Sequence, residues 1–342
     1  MTKLLILLSV VVSSLAYSKC VHEKDLLGSE ILNISLEHNV FVSTEGARFV
    51  PSSQIRLIKN KKYTVQIFDK SFSVTKSKDP HNEYNRKYVK YYTYARMQNY
   101  LKSNKILIES AGYEVRVVGK SIEGRDLFAV TPKAVTNKKT ILMLGRHHGD
   151  EGTANWIIEG FFNEYLSNKT FRDTYQLILY PMVNPDGTEA HTRYNANGRD
   201  LNRSWHKSLL RSYDESKIIH KDLKNFMKKI KDQVFIALDM HGSFSEDFIY
   251  RVKKNYVSRD FFNKQQEFID ELGSYDTWQN GNDKKSNGDP AMARLVLINH
   301  YKKNAMTHET IRNITKNNNL GRNLQSLQNQ GLSLIKTIQN LY

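Results

Sequence analysis

Three short apolar runs, set apart by segments of helical length, constrain this chain most. Thr140 to Gly145, Gln176 to Val183 and Val234 to Met240 are apolar at most positions rather than at alternate ones. A strand that reads this way is buried on both faces, as in a parallel sheet covered by helices. Thr153 to Leu166 reads as a helix, and Asp222 to Ile230 lies in a basic helix. The expected fold class is therefore α/β, a mixed and mostly parallel sheet flanked by helices on both faces. Polar residues just past the carboxyl ends of such strands tend to form the site.

The flanking text fills in the organisation. Residues 19 to about 80 hold short β-type runs, Ile31 to Leu36, Val40 to Val42, Ile55 to Ile58 and Tyr63 to Phe68, so a small β-rich module is expected there. Tyr94, Met97, Tyr100, Leu101 and Ile106 recur at helical spacing and predict one amphipathic helix. Tyr113 to Val118 and Leu127 to Thr131, joined through Glu123 and Gly124, predict a hairpin. Gly273 to Pro290 is rich in Asn, Gly, Asp and Lys and reads as a long loop.

At the amino terminus, Lys3 precedes an uncharged stretch from Leu4 to Leu15, followed by small residues at Ala16 and Ser18. That layout is a signal peptide's, with cleavage expected after Ser18, and the stretch falls short of the roughly 20 residues a membrane span needs. The division expected is 1–18 as signal peptide, 19–85 as the β-rich module and 86–342 as the catalytic domain, in a secreted or periplasmic protein that is not an integral membrane protein. A monomer is expected.

Charge and cysteine content narrow the chemistry. Lys and Arg number 51 against 35 Asp and Glu, a formal charge of +16 that draws anions to the surface. The basic residues are dispersed, with no recurring aromatic and basic motif, so nucleic acid is not an expected partner. The single Cys excludes an intramolecular disulfide and a thiolate zinc cluster, leaving His and carboxylates as metal ligands.

His148 and Glu151 form an H-x-x-E pair directly after the strand ending near Gly145. At a strand-to-helix turn, positions three apart can aim an imidazole and a carboxylate at one centre. On their own they equally fit ordinary capping of a helix start. A third ligand stands at another strand end, in Asp239, Met240, His241, Gly242. Between them lie Asn184, Pro185, Asp186, Gly187, a tight turn, and then the rarer stretch Arg193 to Arg203, R-x-N-x-x-G-x-D-L-N-R. Its arginines and amides offer a fork for a carboxylate and a donor for an oxyanion.

Taken in order, H-x-x-E, N-P-D-G, R-x-N-x-x-G-x-D-L-N-R, D-x-H-G and a late Glu resemble the zinc metallocarboxypeptidases of the carboxypeptidase A type, over roughly Tyr92 to Gln330. Two branches fit: H-G-D-E with R-Y-N-A-N-G-R-D-L-N-R is similar to bacterial murein-peptide amidases, and D-L-N-R-S-W with a β-rich segment ahead is similar to glutamate-trimming cytosolic carboxypeptidases. The resemblance implies one zinc ion held by His148, Glu151 and His241. It implies Arg193 to polarise the scissile carbonyl, Asn202 and Arg203 to grip a terminal carboxylate, and Glu309 as the general base. His308 is a rival next door, although a strand points neighbours to opposite faces. Arg294, at the family's side-chain-preference position, would favour an acidic side chain, or else it is simply a helix-surface arginine. The family's mobile tyrosine has no counterpart in Asp283 to Asp289, which leaves Tyr275 as the nearest candidate. The expected partner is a peptide with a free carboxylate, such as a peptidoglycan stem peptide; a glutamate-tailed protein, or a non-catalytic envelope-binding protein that keeps the fold, are the alternatives.

Overall fold

The computed structural model describes residues 92–230, 233–312 and 321–342, and the backbone of three short strands nearer the amino terminus. Those strands, β1 (Asn33–Ser35), β2 (Val40–Val42) and β3 (Arg48–Phe49), pair antiparallel in sequence order. The expected signal segment 1–18 and the runs Ile55 to Ile58 and Tyr63 to Phe68 lie outside the described residues.

The main sheet has eight strands in the order β10-β9-β11-β8-β6-β7-β5-β4. They are β4 (Tyr113–Lys120), β5 (Asp126–Pro132), β6 (Lys139–Gly145), β7 (Tyr175–Tyr180), β8 (Val234–Ser243), β9 (Phe248–Arg251), β10 (Asp283–Lys285) and β11 (Ala305–Ile311). The four central strands β7, β6, β8 and β11 run parallel, while β4, β5 and β9 join antiparallel to their inner neighbours. All six residues of β7 are buried, as are all of β6 but Lys139, which is what the unbroken apolar runs require.

Strand alternation splits the core into two layers. Ile141, Met143, Leu238, Met240 and Met306 face helices α1 (Tyr94–Ser103), α3 (Thr153–Ser167), α7 (Arg259–Tyr275) and α9 (Leu324–Leu341). Leu142, Leu144, Ala237 and Ala305 face α6 (Asp214–Ile230) and α8 (Ala293–Asn299). Short helices α2 (Lys105–Ser110), α4 (Lys169–Thr174) and α5 (Pro185–Glu189) complete the set among the described residues. No helix among the described residues is long and apolar enough to cross a membrane.

Two local expectations are corrected. The helix begun at Tyr94 ends at Ser103, and Ile106 falls on the separate α2 with 78% of its surface exposed. Asn104 breaks the helix, its side-chain amide and backbone N–H both donating to Tyr100 O. The stretch Gly273 to Pro290 is not one long loop: α7 runs into it as far as Tyr275, and β10 adds a parallel edge strand to β9.

Candidate metal centre and active site

The turn after β6 is built around Arg146, which takes a positive φ of 62°. Its buried guanidinium folds back onto Gly149 O at 3.0 and 2.7 Å and reaches Asn155 Oδ1 at 2.9 Å. Gly149 is needed for a different reason: a Cβ there would stand 1.9 Å from the carbonyl carbon of Gly187. The H-G-D-E turn and the N-P-D-G turn are thus pressed backbone to backbone. Asn184 joins them, accepting from Gly187 N at 2.9 Å and donating to His147 O at 3.2 Å.

This packing brings His148, Glu151 and His241 together. His148 Nδ1 lies 2.9 Å from Glu151 Oε1, His241 Nδ1 lies 2.9 Å from Glu151 Oε2, and the two Nδ1 atoms are 3.1 Å apart. Gly242 N donates to Glu151 Oε2 at 3.0 Å, and a Cβ on Gly242 would sit 3.0 Å from Glu151 Cβ. His241 is not past the strand end, as its position in the sequence implied, but within β8, which continues to Ser243.

Outer partners fix both imidazoles. His148 Nε2 lies 3.1 Å from Asp200 Oδ1 and His241 Nε2 lies 3.0 Å from Asp239 Oδ1. With its Nε2–H facing Asp200, His148 turns its Nδ1 lone pair to the shared centre, and His241 brings its own Nδ1 there from β8. Burial alone would lower the pKa of both rings, but the carboxylates outweigh it and raise them, Glu151 for His148 and Asp239 with Glu151 for His241. Burial likewise favours a neutral Glu151, yet the imidazoles hold its carboxyl well below the usual range.

Two imidazole nitrogens and a carboxylate converging in a buried space suit a positive charge among them. A four-coordinate zinc with arms of roughly 2 Å separates its ligand atoms by about 3.3 Å, close to the spacings found here. His147, Asp239 and His241 form a second possible group. His147 and Asp239 do not line the cavity, whereas His148, Glu151 and His241 open on it, so the latter set fits a catalytic metal and Asp239 serves as an outer partner.

The cavity, about 600 Å³, is also lined by Glu309, Arg193, Asn202, Arg203 and Arg294. Glu309 pairs across the β11–β8 register with His241 and points to the same face, while His308 is buried on the opposite one. Burial first, and then repulsion from Glu151, push the Glu309 carboxyl up to about 7. Arg193 donates to Asp200 Oδ2 at 3.0 and 2.8 Å, and its Nη1 stands 3.2 Å from His148 Nδ1. Asn202 is buried, with its amide NH2 3.2 Å from Asp239 Oδ2 and 3.1 Å from His241 Nε2, and its carbonyl accepting from Ala293 N. Arg203 is exposed and donates to Asn202 O.

Arg294 is no surface residue. It is 2% exposed at the start of α8, donates twice to Ser286 O at 3.1 Å, and burial pulls its pKa to about 10, so it stays charged at neutral pH. Tyr275 does not line the cavity: its backbone O accepts from Ser333 on α9, and Lys336 lies over its ring. Tyr250 on β9 does line it, as do Lys284 and Arg312. No motif pointed to these three, because β9 and β10 are too short to show a period and Arg312 lies beyond the last motif residue.

The zinc carboxypeptidase (peptidase M14) family model matches residues 108–260. Cytosolic carboxypeptidase 3 of Bos taurus is 28% identical over 171 residues, covering 46% of this chain and 17% of its own length. Cytosolic carboxypeptidase 2 of Mus musculus is 30% identical over 174 residues, covering 46% and 20%. The aligned region thus spans about a fifth of these curated relatives. Among solved structures, a metallo-carboxypeptidase from Burkholderia cenocepacia superposes with a TM-score of 0.62 at 18% identity, covering 73% of this chain and 69% of that one. A metallo-carboxypeptidase from Pseudomonas aeruginosa does so at 0.57 and 21%, covering 70% and 69%. These two establish the likeness of fold. The ligand triad and its outer carboxylates fall in or beside the matched residues 108–260, and over that stretch the chain is similar to the zinc carboxypeptidase family.

Proposed function

We propose that this chain is a secreted zinc-dependent carboxypeptidase that hydrolyses a peptide or isopeptide bond next to a residue bearing free carboxylates. The observation that carries the reading is one cavity holding the His148, Glu151 and His241 set, the carboxyl of Glu309 and the buried cation of Arg294. Zinc, when bound by the three ligands, supplies a Lewis acid for the scissile carbonyl. Glu309, which lines the cavity beside His241, takes a proton from the attacking water as its oxygen bonds to the carbonyl carbon. It then gives that proton to the amine nitrogen as the C–N bond breaks. Arg193, held by Asp200, donates to the oxygen that gains negative charge.

Arg203 and Asn202 lie where a terminal carboxylate enters, and Arg294 faces the side chain of the departing residue. A buried guanidinium with an unpartnered Nε selects a carboxylate there over a neutral amide. Peptidoglycan stem peptides, which carry several carboxylates, are the substrate we favour. The similarity to cytosolic carboxypeptidases favours a second reading, removal of glutamates from an acidic protein tail. The secreted location rests on residues 1–18 as read from the sequence, and amino-terminal sequencing of the exported protein tests it.

Incubating the zinc-loaded protein with defined muropeptides and with oligoglutamate-tailed peptides, each with and without chelator, separates the two readings by the masses of the products. Cleavage of neither, with Glu309→Gln and parent binding envelope polymer equally, would make the chain a binding protein.

A further inference from the structure

Arg312 stands directly after β11, three residues past Glu309. Its Nη1 donates to Asp150 Oδ2 at 2.9 Å and its Nη2 to Glu151 Oε1 at 3.1 Å. Its guanidinium carbon lies 3.8 Å from the ring centroid of Phe244, and its backbone N–H donates to Ser243 O at 2.7 Å. The side chain is 13% exposed. One residue therefore ties together three segments: the strand that carries Glu309, the end of the strand that carries His241, and the turn that carries His148 and Glu151.

We infer that Arg312 is a positioning residue that locks the Glu151 carboxylate in register with the two imidazoles and so sets the affinity and geometry of the metal centre. The inference rests on the metal-centre reading above. Glu151 Oε2 is held by Gly242 N, a backbone donor, whereas the outer donor on Oε1 is Arg312. Without it the carboxylate keeps one fixed oxygen and can turn about that contact. Arg193 offers no substitute at 3.9 Å from Oε1, because Asp200 takes its fork.

Charge runs against orientation here. A guanidinium beside a cation site repels the cation, and if that effect dominated, removing Arg312 would tighten metal binding. Asp150 offsets it: its carboxylate sits 2.9 Å from Arg312, and the pair adds no net charge at the centre. Orientation is what remains, and outer partners of metal ligands are typically worth about tenfold to a hundredfold in affinity. Stacking on Phe244 fixes the guanidinium plane from the other side, so the fork is presented to Asp150 and Glu151 in one orientation.

The test uses the full mature protein with cobalt(II) as the probe. Affinity is measured by chelator competition and ligand geometry by the visible spectrum. Arg312→Met, which keeps the packing stem and removes the donors, is expected to bind cobalt about tenfold to a hundredfold more weakly and to shift the visible bands. Arg312→Lys should recover part of both, since an ammonium reaches one carboxylate but not two. Asp150→Asn, which leaves the guanidinium uncompensated, should also weaken binding, and more so at low ionic strength. Thermal melts of the metal-free variants establish that each is folded, and the lysine and asparagine variants carry the test if Arg312→Met is not. Parent-like affinity and spectrum in a folded Arg312→Met would overturn the inference, as would tighter binding. A rise in KM confined to substrates with an upstream acidic residue, at unchanged cobalt affinity, would make Arg312 a substrate contact instead. A parent that binds no cobalt overturns the metal centre itself and this inference with it.

Discussion

Replacing Glu309 by Gln should stabilise the metal-free protein and nearly abolish catalysis, for the same physical reason. Burial and the adjacent Glu151 carboxylate push the Glu309 carboxyl from 4.5 up to about 7, against the opposing pull of His241 and His148. The native state holds this proton more tightly than the unfolded chain does, so ionisation costs the native state stability. The cost is absent below about pH 4.5, grows as the unfolded chain ionises, and is complete above about pH 7. At about 1.4 kcal/mol per pH unit it amounts to roughly 3 kcal/mol, a Tm difference on the order of 5 °C. Calorimetry in EDTA should show Glu309→Gln melting above the parent at pH 8.5 and level with it at pH 4.5. Zinc should shrink the gap, because a cation beside Glu151 removes the repulsion. In the turnover assay the same variant should lose about 100-fold to 10,000-fold in kcat, the usual contribution of a positioned acid–base group. A variant no more stable than the parent at pH 8.5, or stabilised equally at pH 4.5, would refute the reasoning.

Arg294→Met should cut the preference for an acidic over an amide side chain on the released residue by about tenfold to a hundredfold, the worth of a charged hydrogen bond, read as a ratio of kcat/KM on Glu-terminated and Gln-terminated peptides. An unchanged ratio would remove Arg294 from the specificity pocket. Gly149→Ala should fail to fold or lose its metal, since the new Cβ meets the Gly187 backbone, whereas Gly112→Ala, with φ +84° and open space around it, should cost only about 1 to 2 kcal/mol. Thermal melts of the two variants side by side check this. Zinc at a thousand times its Kd should add about 4 kcal/mol of stability, and the gain should fade as acid protonates His148 and His241. A chelator-insensitive Tm at neutral pH would contradict it.

The parts of this molecule that were legible in the sequence are those where one constraint dominates. The central strands showed because burial on both faces leaves no polar positions, and the ligands showed because they sit where such runs end. Glu309 and His308 separated cleanly because a strand's period of two is rigid. The failures lie where local text is ambiguous or a partner is remote. Ile106 fits the helical period but falls beyond the break at Asn104. The polar stretch before Pro290 conceals a three-residue edge strand whose only support is its pairing with β9. Tyr275 seemed able to reach the site, but α7 carries it to the side where Ser333 and Lys336 lie. Arg312 has no motif at all: its importance comes from Asp150 and Glu151, more than 160 residues away in sequence.

The central claim is that His148, Glu151 and His241 hold one divalent cation beside Glu309. Crystals grown with zinc and measured on both sides of its absorption edge test it directly. The account predicts a single strong anomalous peak bounded by His148 Nδ1, the Glu151 carboxylate and His241 Nδ1, absent in His148→Ala. A peak between His147 and Asp239 instead, or none at the triad in zinc-soaked crystals, would contradict it.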